Sequence, residues 1–209
     1  MIGDGWEALP QARQAEVLAA VAAVETAQEP VPANELRALL EPALRQVVEQ
    51  VLARSGRVLL QVGNGYLSGY ADPVAGELAD LGIGILEPEH RAVLAMVLLF
   101  TVAVPRAEGR HRTQNPWLSE HPVAASVLET GAVRPSVVKA ALSALRSAGL
   151  IRTVNGGIVP GWAFLRLTPG ATTVLFEELI LLAEPHGDLA MSIRRLRTHA
   201  ADPDRKPAP

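Results

Sequence analysis

Two stretches of this chain share one order of elements, in which a glycine-closed helix leads into two short apolar strands around a tight turn, and few folds accommodate it. In residues 122–167 a short helix and a turn at Gly131 lead into a helix from Pro135 to Ala148. Val138, Ala141, Leu142 and Leu145 recur there at helical spacing and are expected to face a core. Ser136, Lys139, Ser143 and Arg146 fall on the opposite face, which carries no large apolar residue and no acid. Pro135 suits the first helical turn, where its missing N–H costs nothing. Gly149 can adopt the left-handed conformation that closes the last turn. Leu150 to Val154 and Ile158 to Leu167 are then expected to pair across Asn155-Gly156-Gly157.

The same order recurs upstream. Pro10 to Ala27 is a helix whose apolar stripe is Val17, Leu18, Val21 and Val24. Glu29-Pro30-Val31-Pro32 breaks it, because proline excludes the helical conformation of the residue before it. Asn34 is placed to cap a short helix from Glu35 to Leu40. A third helix, Pro42 to Arg54, turns Leu44, Val47, Val48 and Val51 inward and stops at Gly56. Strands Arg57 to Val62 and Tyr66 to Tyr70 flank Gly63-Asn64-Gly65. Helix, short helix, helix and hairpin make a winged helix-turn-helix, expected at residues 10–71 and again at 87–168. The fold class is mainly α with small β-hairpins (α+β): tandem winged-helix domains plus a C-terminal helix. Residues 72–86 read as a connector, 169–199 as a C-terminal helical extension, and 200–209 as a disordered tail.

Ser136-Val137-Val138, Leu142, Leu145, Ala148-Gly149-Leu150-Ile151-Arg152 and Leu167-Thr168-Pro169-Gly170 resemble the winged-helix regulators of bacteria, of the broad MarR and GntR kind. The resemblance covers about a quarter of the chain. It implies a second helix lying in the major groove of double-stranded DNA and a wing touching the backbone. Ser136, Lys139, Ser143 and Arg146 are then the DNA-facing residues. Arg134, Arg152 and the arginines of the polar loop, Arg106, Arg110 and Arg112, would neutralise phosphates. A solvated or protein-facing surface is the alternative use of the same helix. The tandem arrangement also looks like the kite subunits of bacterial SMC complexes, which bind a kleisin; that likeness rests on architecture.

Charge supports a division of labour. The net charge is −3, but residues 1–90 carry 5 basic and 13 acidic side chains, a balance of −8. Residues 91–209 carry 14 and 9, a balance of +5, so the stretch with the better helix-turn-helix is the basic one. Local charge governs phosphate contact more than net charge does. The third helix of the first copy presents Arg45, Gln46, Glu49 and Gln50, and a carboxylate there would repel phosphate.

Other functions find little footing. With no cysteine, disulfide scaffolds, thiolate metal sites and cysteine nucleophiles are excluded. Gly63-Asn64-Gly65-Tyr66-Leu67-Ser68-Gly69 lacks the spacing of a dinucleotide fingerprint and sits in a hairpin. The five histidines, His90, His111, His121, His186 and His199, stand apart, with no pair at metal-ligand spacing. No catalytic residue, cofactor or metal is therefore expected. The N-terminus has no signal-peptide pattern, and the apolar run Ala92 to Val104 is shorter than a membrane span. A cytoplasmic, nucleoid-associated protein with no membrane partner is the expectation. Leu175, Leu179 and Leu182 suggest a homodimer or protein partner through the last apolar helix.

Overall fold

The computed structural model describes residues 4–110, 113, 115–129 and 133–201. His111, Arg112, Gly131 and the tail from Asp202, all assigned above, lie outside the described residues. The described chain is mainly helical with two small antiparallel sheets. It divides into two compact units, residues 1–86 with 162–171, and residues 87–161 with 172–209.

The first unit contains α1 (Asp4–Glu7), α2 (Gln11–Thr26), β1 (Val31–Pro32), α3 (Arg37–Leu40), α4 (Pro42–Arg54), β2 (Arg57–Val62), β3 (Gly65–Tyr70) and α5 (Asp72–Asp80). Its core joins Val17, Ala20 and Val24 of α2 to Leu44, Val47, Val48 and Leu52 of α4, with Ala38, Leu39 and Tyr66. Leu18, expected in the α2 stripe, is instead exposed. Asn34 does not cap α3. It lies in a 3-10 turn, Ala33–Glu35, and α3 starts after Leu36 without a side-chain cap. The sheet order is β1-β3-β2, with Val31 opposite Tyr66 and Val62 opposite Gly65. The hairpin turn is therefore the pair Gly63-Asn64, one residue shorter than expected.

The second unit repeats this plan with α6 (Pro88–Leu98), a π turn (Leu99–Ala103), α7 (Val104–Ala107), α8 (Ala125–Glu129), α9 (Pro135–Ser147), β4 (Ile151–Val154) and β5 (Gly157–Pro160). Val123 bridges Ile158 on the free edge of β5, just as Val31 bridges Tyr66 in the first unit. Helix α9 ends as its sequence dictates. Gly149 sits at φ 69°, its N–H donates to Arg146 O at 2.9 Å, and the Leu150 N–H donates to Leu145 O at 2.9 Å. Asn155 and Gly156 make the two-residue turn with φ of 51° and 77°, the positive pair that a tight hairpin requires.

The central helix of this unit carries a defect with a clear cause. Pro105 has no N–H to return to the carbonyl of Thr101, four residues back. The helix widens over Leu99–Ala103, and the Val104 N–H reaches Leu99 O instead. The buried Ser119 hydroxyl then donates to the freed Thr101 carbonyl. The helical run Pro88–Ala107 spans 20 residues and is long and apolar enough to cross a membrane, longer than the apolar run alone suggests. Here Val93, Val97, Leu98, Thr101, Val102 and Ala103 are buried among protein neighbours, and α6 packs on α8, α9 and β5. It is the core helix of its unit.

The segment after the second wing departs from expectation. The strand foreseen from Ile158 to Leu167 ends at Pro160, because β4 supplies partners for only four residues. A 3-10 turn, Trp162–Arg166, follows and belongs to the first unit. Arg166 donates to Ser68 O at 2.6 Å, to Val24 O at 3.2 Å and to Ala27 O. Thr168 donates to Asp72, and its Oγ1 accepts the Ala171 N–H, opening α10 (Pro169–Ala183). The last helix is α11 (Asp188–Ala201), within and just past the expected C-terminal helical extension.

Burial, and then the neighbouring charge of Arg57, pull the Arg166 guanidinium below its ordinary value. As an arginine it nevertheless stays charged near neutral pH. Replacing Arg166 with methionine should cost about 2–4 kcal/mol, because three carbonyls at the end of α2 and on β3 lose a charged donor. Urea unfolding of the two proteins measures this. Gly69→Ala should destabilise the same contact, since a Cβ there would run into the Arg166 carbonyl.

Candidate functional site

Helix α9 is amphipathic in the way its sequence implies. Val138, Ala141, Leu142 and Leu145 are buried, while Ser136, Lys139, Ser143 and Arg146 are exposed on the other side. Arg134, at the N-cap, is exposed too. Arg146 makes one long hydrogen bond to Leu142 O at 3.5 Å, within its own helix. Among the described residues neither Arg134, Lys139 nor Arg146 forms an ion pair, and α9 itself carries no carboxylate.

The remaining predicted cations are not part of that face. Arg152 is half-buried on β4 opposite Val159. Arg110 is paired with Glu108, its Nε 2.7 Å from the carboxylate. Arg106 lines a groove formed with residues of α10 and α11. Arg112 lies outside the described residues. The cations read from sequence as DNA contacts thus lie on a helix and its N-cap, on a wing, in an ion pair and in a groove.

In the first unit the corresponding helix is less suited to phosphate. Glu49, Gln46 and Gln50 are exposed on α4. Arg45, expected to be exposed there, is half-buried: its guanidinium lies 5.7 Å from the Tyr66 ring centre and donates to Leu39 O at 3.1 Å. Arg37 and Arg13 face Glu41, and Arg57 lies 3.5 Å from Glu25 and 4.3 Å from the Tyr70 ring centre. Among the described residues no three of His, Asp and Glu gather as metal ligands.

One apolar surface escaped the sequence reading, and a second, on the last apolar helix, was foreseen with other residues. Leu81, Ile83 and Ile85 follow α5 and are 74%, 57% and 57% exposed. Their alternation with Gly82 and Gly84 was the available signal. The second surface is on the last two helices, where Val174, Leu182, Leu189 and Leu196 are exposed. The predicted dimer stripe is altered there: Leu179 is buried inside its own unit and Leu175 is half-buried, leaving Leu182 outward.

No family model and no curated protein matches the chain. Among solved structures it is similar to the crystal structure of ScpB from Mycobacterium tuberculosis, at 21% identity over 77% of this chain and the whole of that one. The TM-score is 0.23, too low for the likeness to weigh on function. The tandem winged-helix description stands on element order, sheet order and the matching edge bridges.

The two faces of α9 differ in what they tolerate. Lys139→Ala and Arg146→Ala should change stability by no more than about 0.5 kcal/mol, as exposed substitutions do. Leu145→Ala, at a fully buried position, should cost about 3–5 kcal/mol through lost burial and an unfilled cavity. Thermal unfolding of the three variants checks both statements.

Proposed function

We propose that the chain is a non-enzymatic tandem winged-helix subunit that works through a protein partner, in the manner of the kite subunits of bacterial SMC complexes. It acts in the cytoplasm at the nucleoid. The observation that supports this reading is the exposed run Leu81, Ile83 and Ile85. Three large aliphatic side chains in five residues form a concentrated apolar surface, of a kind that marks protein contact. Burying each on a partner would contribute about 1.5–3 kcal/mol. The dispersal of the predicted phosphate-binding arginines points the same way. Glu49 on the exposed face of α4 also argues against a second DNA-reading helix.

A second reading keeps one specific observation in its favour: Lys139 and Arg146 share the exposed face of α9 with Ser136 and Ser143 and no carboxylate, and Arg134 is exposed at its N-cap. On that reading the chain is a transcriptional regulator that reads a duplex through α9. Arg146→Ala would then lose about 1–3 kcal/mol of specific binding.

The two readings separate in one set of measurements. The full chain and its Arg146→Ala and Ile83→Ser/Ile85→Ser variants are titrated against a kleisin of the same genome and against selected and random duplexes. The kite reading expects partner binding that survives Arg146→Ala and falls at least about tenfold on Ile83→Ser/Ile85→Ser, the effect of losing about 1.4 kcal/mol. Tight, salt-dependent preference for one duplex, lost in Arg146→Ala, together with no kleisin binding, would establish the regulator reading instead.

A further inference from the structure

The groove beside α10 has a chemistry that neither reading uses. Its volume is about 330 Å3, and its lining residues among those described belong to the second unit. That volume lies near the lower end of small-molecule sites, about 300–1,000 Å3. Pro116, Phe176, Leu189 and Ile193 form its apolar wall. Its polar end is made by donors. Trp117 gives its indole N–H to Thr172 Oγ1 at 3.3 Å, which leaves the Thr172 hydroxyl proton directed to another acceptor. Arg106 adds a guanidinium, whose five N–H groups can serve more than one partner at once.

Among the described residues one carboxylate, Glu177, reaches this groove. It is already matched: Arg197 contacts Glu177 Oε2 at 2.8 Å and Glu178 Oε1 at 2.7 Å. Those two contacts, Glu178 first, hold the Arg197 guanidinium above its ordinary value. Phe176 lies four residues from Thr172 and so on the same face of α10. A ligand held at Thr172 would run its tail past Phe176 toward Leu189 and Ile193.

The geometry points to a binding site for a small amphipathic monocarboxylate, its acid group at Arg106 and Thr172 and its hydrocarbon part between α10 and α11. The site is independent of whether the chain works through protein or DNA. It gives the second unit a place where a metabolite with one acid and one apolar end can act.

Isothermal titration of the full chain with decanoate, with decanol and with decyltrimethylammonium, each below its micelle concentration, tests the assignment. Decanoate should bind at least about tenfold more tightly than decanol, the difference expected of a charge-assisted hydrogen bond. Arg106→Gln, a change at an exposed side chain, should remove that preference. Leu189→Trp, also at an exposed position, should block all three by filling the groove, whereas Leu182→Ser, on the outer face of α10, should affect none. Thermal unfolding of each variant confirms that the fold persists. Equal binding of the acid and the alcohol, a preference for the cation, indifference to Arg106→Gln, or no binding by the wild-type chain would each overturn the proposal.

Discussion

The guanidinium of Arg166 gathers three backbone carbonyls that have no helical or sheet partner of their own. Val24 and Ala27 lie at the end of α2, where the last carbonyls of a helix need outside donors. Ser68 lies in the middle of β3. One side chain thus ties the end of a helix to the wing of the same unit, and it comes from a segment that follows both wings in the chain. The first winged helix is closed only when residues 162–171 are in place. This dependence also shapes the chain's course, which leaves the second unit at Trp162 and returns to it at Thr172.

The second unit rests on a different solution to the same accounting. Pro105 leaves the Thr101 carbonyl without its helical donor, and a buried backbone acceptor must be satisfied. The π turn and the Ser119 hydroxyl supply the remedy. Around this helix the unit builds a small sheet on α9, and the outward face of α9 is left polar and basic. The exposed apolar residues of α10 and α11 lie beyond the winged-helix elements, in the part of the unit that the first copy lacks, and the groove joins these helices to Arg106 of α7.

The two copies are alike in backbone and unlike in surface. In the first, arginines are turned inward onto Tyr66, Tyr70 and carboxylates. In the second, Lys139 and Arg146 stay outward on α9, and Arg134 at its N-cap is exposed as well. A fold shared by two units does not give them one function. Exposed Leu81, Ile83 and Ile85, which neither helix-turn-helix accounts for, favour a protein partner as the chain's principal contact.

What the sequence by itself determined was local. Helical spacing set the buried faces of α4 and α9, glycine set the ends of both, and Asn155-Gly156 set the second hairpin, because each depends on residues within a turn or two of one another. The repeated winged-helix plan followed from that order. What only the tertiary structure decided depends on neighbours distant in sequence. Trp162–Arg166 leaves the strand because β4 is too short to pair with it, and Arg166 finds carbonyls 98 to 142 residues away. Leu179 turns out to be core rather than interface, and the predicted arginines disperse to separate surroundings. The groove at Thr172 was invisible for the same reason: Arg106, Trp117, Phe176 and Ile193 share no motif, and only packing brings them together.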